Sequence, residues 1–100
     1  MIKHIIVWTL QDKCFGPNID TIKTNITDRL EAVNGQIPGL EQLEVHAACL
    51  SSSNADIVLE AIFEDEDAMK NFKKNDLWKN ATKEVVVPFV DTTTHIEFQL

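Results

Sequence analysis

Lys3-His4-Ile5-Ile6-Val7-Trp8-Thr9-Leu10 is the stretch from which the architecture can be worked out. Side chains alternate along a strand, so His4, Ile6, Trp8 and Leu10 share one face. Ile5 and Val7 point the other way, between Lys3 and Thr9. A strand that is apolar on both faces has to be covered on both. A chain of 100 residues with two helical segments has material to cover only one. The second cover is expected to be another copy of the same chain.

Outward from that strand the pattern changes period. Ile19, Ile22, Ile26, Leu30, Val33 and Ile37 recur at helical steps, with Asn18 or Asp20 as the cap. Asn34-Gly35 stops the helix ahead of Pro38. A second strand is predicted from Leu43 to Leu50. Leu43, Val45, Ala47 and Cys49 lie on one face, and Glu44, His46 and Ala48 on the other. Ser51 to Asn54 form a polar hairpin loop, and the third strand runs from Asp56 to Phe63. Its Ile57, Leu59, Ala61 and Phe63 oppose Val58, Glu60 and Ile62. Asp65 caps a second helix with acids in its first turn and lysines in its last, as the helix dipole favours. Further helical turns run through Leu77, Trp78 and Ala81 towards Val85. The last strand starts near Pro88-Phe89-Val90 and has Thr92, Thr94, Ile96, Phe98 and Leu100 in phase. The order β-α-β-β-α-β, with right-handed crossovers, predicts one α+β domain over residues 1–100. It has a ferredoxin-like four-stranded antiparallel sheet and helices on one face.

Charge narrows the partners. Sixteen acids against nine bases give a net charge of -7. Nucleic-acid and anionic-membrane binding are therefore not expected, and no apolar run reaches the ~18–20 residues of a membrane helix. Cys14 and Cys49 lack a CxxC spacing, which fits a reducing, cytoplasmic compartment. If the helices cover His4, Ile6 and Trp8, the other sheet face carries Ile5, Val7, Val58 and Ile62. Glu44, His46, Glu60, His95 and Glu97 are read onto that same face. Burying the four aliphatic side chains is worth ~1.5–3 kcal/mol each. A homodimer interface of Ile5, Val7, Val58, Glu60, Ile62, His46 and His95 is expected.

Three stretches together resemble the stress-responsive dimeric α/β-barrel (Dabb) domain family. They are His4-Ile5-Ile6-Val7-Trp8, Ile37-Pro38-Gly39-Leu40, and Asp56-Ile57-Val58-Leu59 running through Phe63-Glu64-Asp65. The resemblance spans nearly the whole chain. It implies a ferredoxin-like protomer whose sheet joins a partner's to form a barrel, with a small-molecule cleft between sheet and helices. One plant branch of the family cyclises polyketides, and related barrels are cofactor-free monooxygenases. The family's aromatic-x-x-His-Pro-x-His run reads here Phe72-Lys73-Lys74-Asn75-Asp76-Leu77-Trp78. The tyrosine and histidine that the cyclase branch uses as an acid–base pair are replaced by Phe72 and Trp78. Neither can shuttle a proton at neutral pH.

His4 is then the one candidate catalytic residue, an acid–base group of the right intrinsic pKa. The expected ligand pocket, for a small apolar molecule, is His4, Ile6, Trp8, Leu59, Phe72, Asn75 and Trp78. Its rival is a core simply filled by these aromatics. His4 is read onto one sheet face and His46 and His95 onto the other, so the three histidines do not converge. A His46/His95/Glu60 group inside the barrel lacks recognisable ligand spacing. No metal or cofactor is expected. The leading reading is a non-catalytic homodimer, and the alternative a cofactor-free enzyme with His4 as acid or base.

Overall fold

The structure, a computed structural model, describes residues 1–100. Strand β1 spans Ile2–Leu10, helix α1 Ile19–Glu31, β2 Leu40–His46 and β3 Ile57–Phe63. Helix α2 spans Glu66–Lys74, α3 Asp76–Val85 and β4 Val90–Gln99, with a short 3-10 turn at Asp12–Cys14. The sheet order is β2-β3-β1-β4, every pair antiparallel, so the two strands most apolar on both faces occupy the centre. This is the expected ferredoxin-like fold. No helix is long and apolar enough to cross a membrane.

Burial alternates strictly along β1 and β3: Ile2, His4, Ile6, Trp8 and Leu10 are inside, as are Ile57, Leu59, Ala61 and Phe63. The helices close over that side with Ile26 and Leu30 of α1, Met69 and Phe72 of α2, and Trp78, Ala81 and Val85 of α3. Asp65 caps α2 through a 2.8 Å bond from the Ala68 N–H. Asn75 ends α2 and caps α3, accepting from the Leu77 N–H at 2.9 Å.

Three boundaries differ from the sequence reading. Helix α1 ends at Glu31, and Val33 and Ile37 are buried from the turns that follow it. Asn18 stands at its N-cap position without a side-chain bond to the backbone. Strand β2 begins at Leu40 rather than Leu43 and stops at His46 rather than Leu50, because β3 supplies no partner beyond the His46–Val58 pair. Gly39 makes the early start possible. Its φ of +79° is one that other residues adopt only with strain, and an added Cβ would collide with Ala68 of α2.

The outer edge of β2 is occupied. The Asn34 side chain accepts from the Leu43 N–H at 3.0 Å and donates to the Leu43 carbonyl at 2.8 Å. Glu31 accepts from the Val45 N–H at 2.9 Å.

Candidate functional site

The register of β4 places the chemistry. Glu97 stands directly opposite His4, and His95 opposite Ile6. Residues facing each other across a ladder share a sheet face, so His95 and Glu97 lie on the helix side with His4. This corrects the expectation that both lie on the open face and that His95 belongs to the interface. The open face instead receives Ile96, opposite Ile5, and Phe98, opposite Lys3. The sequence reading missed both of them as interface candidates. Their alternation with His95 and Glu97 is plain in the sequence, but which set turns inward is not.

His4 is 1% exposed, its ring against Phe63 and His95. Its Nε2 lies 3.1 Å from His95 Nδ1 and 3.6 Å from a Glu97 carboxylate oxygen, while its Nδ1 has no hydrogen-bond partner. Lys73, in the last turn of α2, reaches across to Glu97. Burial pushes the His4 pKa down to about 4. Glu97 opposes that shift, and Lys73 and His95 reinforce it. The Lys73 hydrogen bond holds the Glu97 carboxyl below the usual carboxylate range. At neutral pH the site is thus a neutral, desolvated imidazole beside an ionised carboxylate.

A second group sits on the open face. His46 Nε2 is 2.9 Å from Glu60 and 3.8 Å from Glu44, and Lys3 is 3.3 Å from Glu60. Glu44 and Glu60 oppose each other across β2 and β3, so His46 and Lys3 offset a like-charge pair. The hydrogen bond from His46 is the main cause that lowers the Glu60 pKa. Ile5, Val7, Val58, Glu60 and Ile62 lie on this face at intermediate exposure, as read from the sequence.

The expected pocket is filled. Phe72 packs at a tilt against Phe63 with centroids 4.9 Å apart, and Trp78 against Phe72 at 4.5 Å. His4, Ile6, Trp8, Leu59, Phe72 and Trp78 are all buried, and Asn75 is spent on capping α3. None of the surface depressions is lined by Trp8, Leu59, Phe72 or Trp78. Trp78, where the cyclase branch carries a histidine, occupies the space with its own ring.

Across residues 2–100 the sequence matches the family model of the stress responsive A/B barrel domain, and the chain belongs to that family. None of the curated proteins compared with it matches in sequence. Among solved structures it is similar to a dimeric protein of unknown function and ferredoxin-like fold from Bacteroides fragilis. That match has a TM-score of 0.88 and 16% identity, over 99% of this chain and 95% of that one. A Dabb family protein from Mesorhizobium loti superposes with a TM-score of 0.73 at 17% identity, over 99% and 95% of the two chains. A cofactor-independent oxygenase from Streptomyces nogalater, in a mutant form, does so at 0.71 and 14%, over 99% and 91%. Identities this low carry the fold and leave the chemistry to the residues.

Proposed function

We propose that the chain works as a homodimer joined through the open sheet face, forming a barrel-type scaffold with no reaction in the space between sheet and helices. One observation carries this reading: on the face that the helices leave bare, Val58, Val7, Ile5 and Ile96 adjoin one another across three strands, with Ile62 and Phe98 on either side of Lys3, whose charge is paired with Glu60. Ile96 and Phe98 remain 46% and 45% exposed, and a patch of this kind is what a partner sheet buries. The description of the similar Bacteroides fragilis protein as dimeric supports the same assembly. The closed aromatic cluster supports a scaffold over a carrier of small apolar molecules, because a ligand there has to displace Trp78. The free thiols of Cys14 and Cys49 fit a reducing, cytoplasmic setting.

Light scattering on the purified chain at micromolar concentration tests the assembly. A mass of twice the single chain is expected, falling to that of one chain in the Val7→Asp/Ile96→Asp variant. A wild-type monomer overturns it. The second reading is an enzyme with His4 as acid or base, and the contact of His4 with His95 and Glu97 favours it. Turnover of an aromatic substrate that persists in His95→Ala and disappears in His4→Gln would establish that reading.

A further inference from the structure

We propose that His4, His95 and Glu97 form a binding site for a divalent transition-metal ion of the zinc class, open to a further ligand. The three side chains offer His4 Nε2, His95 Nδ1 and a Glu97 carboxylate oxygen, all within 4.8 Å of one another. Two nitrogen donors that each stand ~2.1 Å from one zinc ion are about 3.0 Å apart at a right angle and about 3.4 Å apart at a tetrahedral angle. The observed separations, 3.1 Å between the histidine nitrogens and 3.6 Å from His4 to Glu97, are within a few tenths of an ångström of those edges. Two imidazoles and a carboxylate suit borderline divalent ions, not calcium or magnesium, which prefer all-oxygen sets.

The backbone holds this geometry in place. His95 and Glu97 are two residues apart on β4 and share a face, and Glu97 is paired directly with His4 on central strand β1. The polar neighbours of the buried His4 Nε2 are the His95 Nδ1 and the Glu97 carboxylate, both side chains of metal-ligating type. Lys73 already places a cation against Glu97 from an exposed helix end. An incoming ion has to displace it, which makes Lys73 a competitor.

Three protein donors leave room for water or substrate, the arrangement of an open site rather than a closed structural one. A depression lined by Ile2, Glu66, Glu97, Phe98 and Gln99 adjoins Glu97. The His46, Glu44 and Glu60 group is the weaker candidate. Lys3 is bound to Glu60 there, and the group lies on the face assigned above to the partner. The proposed site is on the helix side, so it does not depend on how the open face is covered.

Calorimetric titration of the full-length chain with zinc at neutral pH tests the proposal. Saturable binding of a single ion per chain is expected, weakened at least ~10-fold in His95→Ala and in Glu97→Gln. His46→Ala is expected to leave it unchanged, and Lys73→Ala to tighten it. His95 and Glu97 are exposed, and circular dichroism verifies that both variants fold. Absence of saturable binding overturns the site. So does binding that survives both substitutions, or binding lost on His46→Ala instead.

Discussion

Each side of the sheet holds a histidine against carboxylates, and solvent separates the two cases. On the helix side His4 is sealed in, and desolvation strips it of its proton down to about pH 4. On the open side His46 stands in water, its side chain 51% exposed, and works as a hydrogen-bond donor that steadies Glu60. The residue types are the same and the environments decide the chemistry. Charge is tolerated on the open face because a partner or water can meet it. On the helix side burial disfavours the protonated imidazole of His4.

The largest test of this contrast is Trp78→Ala. Removing a buried ring packed against Phe72 should cost about 3–5 kcal/mol of unfolding free energy, measured by denaturant titration. A loss below about 1 kcal/mol would mean that the helix side is less tightly closed than the 4.5 Å centroid separation implies. The pH dependence comes next. His4 has a lowered folded pKa, so the unfolded chain takes up its proton first as pH falls below 6.5, and the native state follows only near 4. Stability is therefore full above that window and is lost across it, by at most about 3 kcal/mol. Glu97 and Glu60, both lowered, add losses on the acid side of the carboxylate range. Unfolding free energies measured between pH 7 and 4 should fall less steeply in His4→Gln. The smallest effect belongs to the open side: His46→Ala should change stability by about 1 kcal/mol or less, and less still in high salt. A larger loss in the isolated protomer would erase the distinction between the faces.

Much of this contrast can be read in the sequence. The alternation of β1 and β3, the α1 stripe up to Leu30, and the Asp65 cap all follow from local patterns that tertiary packing reinforces. The replacement of an acid–base pair by Phe72 and Trp78 is legible only beside the family pattern that the sequence resembles. The orientation of β4 was not legible, for a physical reason. A period of two says which residues share a face but not which face turns inward. Thr94, Ile96 and Phe98 alternate with Thr93, His95 and Glu97, and the more apolar set ordinarily belongs in the core. Here both sides of the sheet compete for apolar groups, and the helix side at β1 is already filled by Phe63, Phe72 and Trp78. The paired register with β1 then sends Ile96 and Phe98 outward and brings His95 to His4. For the same reason the side taken by His95 was not legible, although His46 remains on the other face and the three histidines do not converge. The shortened β2 depends on the partner range of β3 and on Gly39, and neither has a local signature strong enough to set a strand end.

The side chains of Asn34 and Glu31 along β2 have a consequence for how this sheet can grow. An unpaired strand margin is a template on which foreign strands polymerise. With Leu43 and Val45 bonded to those two side chains, part of that template is capped on β2, while β4 forms the other margin of the sheet. Strand-by-strand accretion is therefore hindered along the middle of β2 by the protein's own side chains. Mutations that open Asn34 would expose a fibre-forming hazard well before they unfold the protein.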